Sequence, residues 1–254
     1  MARAAVPGRL TARLAWRAAR LVDVVVQTPA AHSLTFEVPG WPGHLAGQHV
    51  DIRLTADDGY TAQRSYSLSA PADGDHLELT VQRVDDGEVS PYLVDGLEVG
   101  ESVEIRGPVG GWFVWRPADA QPVLLVGGGS GIAPLMAMVR ERRVSGSHVP
   151  FRLIYSVRTP DDALFAEELR HPSTVGNGLD ISWVHTRVAP AGDPRPAGRI
   201  TVPDLVAHGW PADFSPSCYV CGPTGFVEFV ADALVTLGHD PDVIRTERFG
   251  PTGG

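Results

Sequence analysis

The run Val123-Leu124-Leu125-Val126, with Gly127-Gly128-Gly129-Ser130-Gly131-Ile132-Ala133-Pro134 after it, decides the fold of the second half of this 254-residue chain. Four consecutive apolar residues are typical of a strand buried in a parallel sheet. A helical pattern follows over residues 135–139, with a proline near its first turn. Strand, glycine turn and helix start predict a phosphate-binding corner, because free backbone N–H groups and the helix dipole attract an anion. The alternative is a purely structural glycine turn, and the spacing departs from G-x-G-x-x-G.

Further apolar strands alternate with helical stretches downstream of this corner. They cover residues 151–155, 181–184 and 217–220, and one predicted helix covers residues 163–169. Alternation of strands and helices predicts a parallel sheet with helices on both faces.

The chain upstream of the corner has a different pattern. Short strand-like runs at residues 49–54, 76–84 and 102–105 are separated by Gly, Pro and Asp turns, which is typical of an antiparallel β-barrel. The pattern changes near residues 117–122. The sequence therefore predicts a barrel domain over residues 1–117, with 1–17 as an N-terminal extension, and an α/β domain over residues 118–254.

One strand of the predicted barrel carries Arg64-Ser65-Tyr66-Ser67. Arginine offers a fixed fork of donors to a diphosphate, a tyrosine ring can lie on a flavin, and a serine hydroxyl can reach a ring nitrogen. These residue types together indicate a flavin site. A chance occurrence on a barrel strand is the alternative.

The two cysteines, Cys218 and Cys221, have the C-x-x-C spacing of a redox dithiol or of half a zinc site. No second pair exists, so a site with four cysteine ligands, for zinc or for an iron–sulfur cluster, is excluded and no metal is predicted. Strand alternation places the two thiols on opposite faces, which argues against a dithiol. Cys218 is therefore predicted to be a core residue.

Four motifs occur in a fixed order along the chain, and together they resemble those of the ferredoxin-NADP reductase superfamily. Arg64-Ser65-Tyr66-Ser67 resembles its R-x-Y-S flavin motif, and residues 127–134 resemble its pyridine-nucleotide loop. Cys221-Gly222-Pro223 resembles its C-G-P motif, and Glu247-Arg248-Phe249 its C-terminal E-x-aromatic motif. The resemblance implies an N-terminal antiparallel flavin-binding β-barrel followed by a parallel-sheet nucleotide-binding domain.

The resemblance also implies roles on the flavin side, with FAD rather than FMN as the cofactor. Arg64 pairs with the diphosphate, Tyr66 lies on one flavin face and Ser67 reaches N5. Gln82, Arg83 and Val84 lie on a later strand against the ribityl chain and the ring edge. The loop after that strand carries Gly87-Glu88-Val89-Ser90, which resembles the family's G-x-x-S motif and contacts the diphosphate. Arg83 has the alternative of an outward strand charge, and His49 either lines the flavin or only occupies a strand.

On the nicotinamide side, the resemblance implies a pocket made by Cys221, Gly222 and Pro223. Phe249 covers the other flavin face, although residues 250–254 continue past it. Glu247 either positions Cys221 and the nicotinamide or is a surface carboxylate. Ser67, Cys221, Glu247 and Phe249 are the predicted catalytic set.

The choice of nucleotide is argued from charge. Arg158 follows the second parallel strand, and Thr186-Arg187 after the third resembles the family's S-R phosphate pair. Asp161 and Asp162 either repel a phosphate or cap the next helix. The sequence predicts NADPH, with NADH as the alternative, because a 2′-phosphate needs cations.

Composition limits the other functions. The net charge of −9 argues against a nucleic-acid ligand, and all 21 basic residues are arginine. No stretch approaches the ~20 apolar residues of a membrane span, and no secretory leader is recognised, so a cytoplasmic protein is expected. The arginines near the N-terminus, Arg3, Arg9, Arg13, Arg17 and Arg20, form either a solvated segment or a docking patch for an acidic partner.

These observations predict an enzyme that takes hydride from NADPH onto FAD. The chain has no cysteine set for an iron–sulfur cluster, so the predicted acceptor is a separate ferredoxin, oxygenase or other electron-transfer protein. A reductase of free flavin or small oxidants is the second hypothesis. A nucleotide-binding regulatory module without turnover is the third. The oligomeric state is not predicted.

Overall fold

The computed structural model describes residues 14–171 and 178–250, and these form two sheets. Arg3, Arg9 and Arg13 lie outside the described residues, as do residues 251–254. The first sheet contains strands β1 to β6: Arg17–Thr28, Ala31–Glu37, His49–Thr55, Thr61–Ser67, His76–Gln82 and Ser102–Val109. The second contains β7 to β11: Val123–Gly128, Phe151–Val157, Leu179–His185, Ser217–Pro223 and Ile244–Phe249. The helices α1 to α4 are Ile132–Val144, Ala166–Arg170, Val202–His208 and Thr224–Thr236.

The N-terminal sheet is antiparallel throughout, in the order β4-β3-β6-β1-β2-β5. Its two edges meet just beyond β4, where Leu68 bridges Leu79 and the amide N of Ser69 donates to Glu78 O at 2.9 Å. The predicted antiparallel barrel is therefore confirmed. Alternate residues of each strand point inward, and Phe36, Ile52 and Leu79 are fully buried in the barrel core.

The C-terminal sheet is parallel, in the order β11-β10-β7-β8-β9. Leu135 and Met138 of α1 pack on one face, and Val227 and Val230 of α4 pack on the other. The prediction of a parallel sheet with helices on both faces is therefore confirmed. Between the two sheets, residues 110–122 contribute Phe113 and Trp115 to the core on the α1 face.

The two cysteines of β10 lie on opposite faces of the sheet, as strand alternation predicts. Cys218 belongs to the core on the α4 face, and Cys221 to the core on the α1 face. Both thiols are free. Burial raises the pKa of Cys218 to about 12, which makes it an inert core residue.

The helix predicted over residues 163–169 is wrong in its first half. Phe165 adopts a left-handed conformation, with φ of 55°, and α2 begins only at Ala166. Leu164 and Phe165 are buried, so burial of these side chains sets the chain direction against the local helical pattern. Asp161 and Asp162 lie in a separate 3-10 turn, and Asp162 accepts a hydrogen bond from the Thr159 hydroxyl at 2.7 Å.

Polar contacts join the two sheets around Arg140 of α1. Its guanidinium donates to Glu78 at 2.6 Å and to the carbonyl oxygen of Ser69 at 3.0 Å, both in the barrel, and to Glu168 of α2 at 2.6 Å. Desolvation opposes the charge of Arg140, but the two carboxylates prevail and raise its pKa above the usual value. This cluster fixes the barrel against the α/β domain.

None of the described helices is both long and apolar enough to cross a membrane. Across residues 14–171 and 178–250, there is no group of His, Cys, Asp and Glu side chains arranged to hold a metal ion.

Candidate functional site

Four side chains from both domains meet at the junction of the two sheets. Ser67, at the end of β4, donates its hydroxyl to Glu247 Oε1 at 3.3 Å. His49 Nδ1, at the start of β3, is 3.9 Å from the same oxygen. Cys221 of β10 is paired in register with Glu247 of β11. Residues 67 and 247 are far apart in sequence, and the packing of the sheets brings them together.

Glu247 is the most perturbed carboxyl at this junction. Burial raises its pKa to about 7, against a small opposing effect of the Ser67 hydrogen bond. Its Oε2 atom is buried and has no hydrogen-bond partner among the described residues. Since a buried polar atom without a partner is costly, Oε2 is available to a ligand that enters the junction. Burial, together with the nearby Glu247, also raises the pKa of the Cys221 thiol.

The glycine turn packs against the C-G-P segment with almost no space between the two backbones. A Cβ on Gly131 would overlap the carbonyl of Cys221 and would lie 2.7 Å from the amide N of Gly222. Cβ atoms on Gly128 and Gly222 would press on the Phe226 ring, at 2.9 and 2.8 Å. Only glycine permits this approach. The structure therefore brings together two motifs that the sequence places about ninety residues apart.

The remaining residues of the turn are half-buried at its start and fully buried at its end. Gly129 has φ of +56° and open space beside its Cα, and Ser130 is half-buried. Ile132, Ala133 and Pro134 form the first turn of α1 and are buried in the core. A ligand could therefore contact the backbone of these residues but not their side chains.

On β4, Arg64 is exposed and its guanidinium lies 3.5 Å from the carboxylate of Glu88, in the loop after β5. Tyr66 is half-buried, and burial raises its pKa to about 12. Ser65 instead donates its hydroxyl to Asp51 of β3 at 2.7 Å, and Asp51 also binds Arg106. The hydroxyl of Ser65 is therefore committed to a contact within the barrel.

In the loop after β5, Gly87 and Ser90 fold back on the end of the strand. The Ser90 hydroxyl accepts a hydrogen bond from the amide N of Val84 at 3.0 Å, and the amide N of Gly87 donates to Val84 O at 2.8 Å. The Val89 side chain is fully buried in the barrel core, so only its backbone faces the loop.

The three residues before that loop are exposed. Gln82 ends β5, and the Val84 side chain is 61% exposed. Arg83 forms ion pairs of 3.3 Å with Asp85 and with Asp95.

A cavity of about 1010 Å³ opens at the carboxyl ends of β8 and β9. Arg158, Thr186 and Arg187 all line it, together with Pro223 of the C-G-P segment. Arg199, which the sequence analysis missed, also lines it.

The charged side chains that line this cavity are all positive. Within the described parts of the chain, the guanidinium groups of Arg158, Arg187 and Arg199 make no ion pair or hydrogen bond. Asp161 and Asp162 do not line the cavity. The cavity therefore suits an anionic ligand.

Phe249 lies at the end of β11, paired in register with Pro223 of β10, and is 37% exposed. It is two residues beyond Glu247, so alternation puts both on the same side of the strand. The ring therefore lies on the strand face that Glu247 also uses, with more than a third of its surface exposed.

Comparison with known proteins gives two family matches. A model described as Oxidoreductase FAD-binding domain matches residues 20–114, and one described as Oxidoreductase NAD-binding domain matches residues 125–232.

The similar curated proteins include reductases of oxygenase systems. A glycine betaine monooxygenase reductase subunit of Chromohalobacter salexigens is 32% identical over 81% of this chain and 56% of its own length. A ferredoxin–NAD(P)+ reductase component of naphthalene dioxygenase/salicylate hydroxylase systems of Ralstonia sp. is 31% identical over 82% of this chain and 61% of its own length. The chain therefore spans less than two thirds of these relatives.

Among solved structures, the FAD/NAD-binding domain of a nitric oxide dioxygenase from Vibrio cholerae has a TM-score of 0.81 and 25% identity. The match covers 92% of this chain and 99% of that one. A cytochrome P450 reductase of Amycolatopsis also has a TM-score of 0.81, with 28% identity, over 97% of this chain and 73% of that one.

Proposed function

This chain belongs to the ferredoxin-NADP reductase superfamily, and from that membership we propose that it takes hydride from NADPH onto FAD and passes the electrons to a separate redox protein. The single observation that carries the proposal is the junction where Ser67 of the barrel meets Glu247 and Cys221 of the α/β domain. A reaction between two bound cofactors needs a place that both domains build, and this is such a place.

The residues on the barrel side fit a flavin. Arg64 and the loop that contains Gly87 and Ser90 are held together through Glu88, which suits them to a diphosphate. Tyr66 and Ser67 continue along β4 toward the junction. There, the buried Oε2 atom of Glu247 has no hydrogen-bond partner among the described residues and can accept a hydrogen bond from a ligand. A bound flavin supplies the chemistry that the side chains lack, because it accepts an electron pair and can release electrons singly.

The residues on the other side fit a nicotinamide dinucleotide phosphate. The glycine turn and the N-terminus of α1 suit its diphosphate, and the close packing of Gly131 on Cys221 and Gly222 leaves the C-G-P backbone at the junction. Arg158, Arg187 and Arg199 support NADPH over NADH, because a 2′-phosphate would satisfy cations that have no carboxylate partner among the described residues.

Each residue of the predicted catalytic set then has a role. Glu247 holds Ser67 at the junction, and when a flavin is bound the Ser67 hydroxyl would turn from Glu247 and donate its one proton to the reacting ring instead. Cys221, whose thiol stays neutral, would pack beside a bound nicotinamide. Phe249 would cover the second flavin face and would have to give way to the nicotinamide. Orientation and exclusion of water are what these groups contribute.

The proposed acceptor is a separate one-electron carrier, such as a ferredoxin or the terminal component of an oxygenase. The names of relatives support this, because several are reductase components of oxygenase systems. Both cysteines are free thiols, which agrees with a location in the reducing cytoplasm.

The test is an anaerobic titration of the purified protein, reconstituted with FAD, first with NADPH and then with NADH. We expect the flavin absorbance to bleach at lower concentrations of NADPH, and the Arg187→Ala variant to lose that preference while keeping the NADH response. Equal turnover with both nucleotides, unaltered in the variant, would overturn the NADPH assignment. A protein that binds no flavin would overturn the reductase itself. If a reduced protein passes electrons rapidly to free flavin but to no ferredoxin, the second hypothesis replaces the first.

A further inference from the structure

A side chain of α1 binds the barrel two residues after Ser67. Arg140 donates to the carbonyl oxygen of Ser69 at 3.0 Å and to Glu78 Oε1 at 2.6 Å. The Ser69 hydroxyl donates to the same oxygen of Glu78 at 2.6 Å. The backbone that carries Ser67 is therefore tied to α1 by a hydrogen bond and to β5 by a second one.

The same helix begins on the nicotinamide side of the junction. It starts directly after Gly131, which packs against the backbone of Cys221 and Gly222. Arg140 lies nine residues after Gly131. At the usual rise of an α-helix, this separation is roughly 13 Å along the helix axis. The N-terminus of α1 thus contacts one side of the junction, while Arg140 holds the segment of Ser67 on the other side.

A residue with an unusual backbone conformation makes a second contact between the domains. Phe165 has φ of 55°, a left-handed conformation that bulky side chains rarely adopt. Its amide N donates to Gln27 Oε1 of β1 at 2.9 Å. Its ring lies under Arg140, with 4.9 Å between the guanidinium carbon and the ring centroid. Such a conformation persists only where the surrounding structure holds it, and such residues cluster at functional sites.

Hydroxyl groups in the barrel connect these two contacts. Gln27 Nε2 donates to the Ser33 hydroxyl at 3.0 Å, and this hydroxyl is 2.8 Å from that of Thr80. The Thr80 hydroxyl donates to Ser69 at 3.0 Å, next to Arg140. Ser33, Thr80 and Ser69 are buried. Because a buried polar network whose members are satisfied is rigid, Gln27 and Arg140 act as parts of one unit.

We propose that Arg140 and Gln27 are positioning residues for hydride transfer, which set the distance between the two sides of the junction. The inference rests on the proposed function, in which NADPH at Cys221 loses a hydride to FAD at Ser67. The reacting atoms must lie about 3–3.5 Å apart, and a displacement of about 1 Å can lower a rate roughly a hundredfold. Since the two reactants are held by different domains, the contacts between the domains determine that distance.

The experiment mixes anaerobic FAD-loaded protein with NADPH in a stopped-flow instrument and records the bleaching of the flavin. The dependence on NADPH concentration separates the rate at saturation from the dissociation constant of the nucleotide. NADPH that carries deuterium at the transferred position should react more slowly, which identifies the recorded step as hydride transfer.

Two variants remove the contacts between the domains. Gln27→Leu removes the acceptor of the Phe165 amide without leaving a charge unpaired. Arg140→Met/Glu78→Gln/Glu168→Gln removes the arginine together with the charges of its two carboxylate partners. In both variants, we expect the rate at saturation to fall about tenfold or more, because the reactants are displaced. The dissociation constants of NADPH and FAD should stay within about threefold of wild type, because the residues that bind each cofactor are kept.

Arg152→Met is the matched control. Arg152 is also a half-buried arginine that donates to a backbone carbonyl, that of Gly209, and pairs with a carboxylate, that of Asp180. Both of these partners belong to the α/β domain, so the variant should keep the wild-type rate.

A wild-type rate in the folded variants, an equal loss of rate in Arg152→Met, or a loss of cofactor affinity as large as the loss of rate would overturn the positioning role and leave the reductase standing. A wild-type protein whose flavin is not reduced by NADPH would overturn both. Gln27→Leu decides the matter even if the triple variant does not fold.

Discussion

Arg64 and Arg83 on the barrel face carboxylates, whereas the arginines that line the cavity at the ends of β8 and β9 face none among the described residues. Arg64 lies against Glu88, and Arg83 pairs with Asp85 and Asp95. Arg158, Arg187 and Arg199 have no such partner within residues 14–171 and 178–250. From this difference we infer that, in the proposed function, the two sites would bind anions in different ways. The barrel would recognise its ligand mainly by shape and hydrogen bonds, and the cavity would recognise its ligand by positive charge that no described carboxylate balances.

The largest expected effect comes from removing charge where it is uncompensated. In the Arg187→Ala/Arg199→Ala variant, we expect kcat/KM for NADPH to fall about a hundredfold or more, because each charge-assisted hydrogen bond contributes roughly 1.5–3 kcal/mol. The value for NADH should stay within about threefold. Steady-state kinetics with both nucleotides measures this. An equal loss for both nucleotides would mean that the arginines support the cavity rather than bind a 2′-phosphate.

The second test uses Glu247, whose carboxyl has no arginine partner among the described residues. The pKa of Glu247 is raised to about 7 from an ordinary 4.5, so the folded protein holds its proton more tightly than the unfolded chain does. Its contribution to stability is complete below about pH 4.5 and is lost as the pH rises through about 7. On going from pH 5 to pH 8, flavin-free wild-type protein should lose about 2 kcal/mol of unfolding free energy relative to Glu247→Gln. Urea unfolding at the two pH values measures the difference, and parallel curves for the two proteins would contradict it.

The smallest effect is expected where charge is already balanced. Arg64→Ala should weaken FAD binding about tenfold, since the diphosphate then faces an unopposed Glu88. Arg64→Ala/Glu88→Gln should recover part of that loss, because the repulsion is removed. Fluorescence titration of flavin-free protein measures both variants. If the second substitution gives no recovery, Glu88 does not face the diphosphate and the contrast between the two sites disappears.

The strands that position both sites could be predicted from sequence, because their signals are local. The sequence predicts strands that begin at Val123, Phe151 and Ser217, and β7, β8 and β10 begin at the same residues. Helix α2 could not be predicted correctly, because the burial of Phe165 in a left-handed conformation depends on residues distant in sequence.

The candidate site was predictable only in part. The contact between Ser67 and Glu247 has no local signal, and only the resemblance of their motifs indicated that they belong together. Arg199 follows an irregular segment that contains Pro and Gly. No strand or helix pattern therefore indicated that its side chain would line the cavity. The hydrogen bond from Ser65 to Asp51 depends on the register in which β3 and β4 pair. The alternation of side chains along each strand does not by itself determine that register.

The position of β11 has a consequence for synthesis of the protein. β11 is an edge strand and the last in sequence among the described strands. It brings Glu247 to Ser67, which belongs to a barrel that leaves the ribosome much earlier than β11 does. Because domains fold from the N-terminus as the chain is made, the barrel is complete while the junction still lacks its carboxyl. In the proposed function, the flavin-binding residues of the barrel are therefore synthesised before Glu247, which leaves a period during synthesis in which the flavin site exists without its carboxyl.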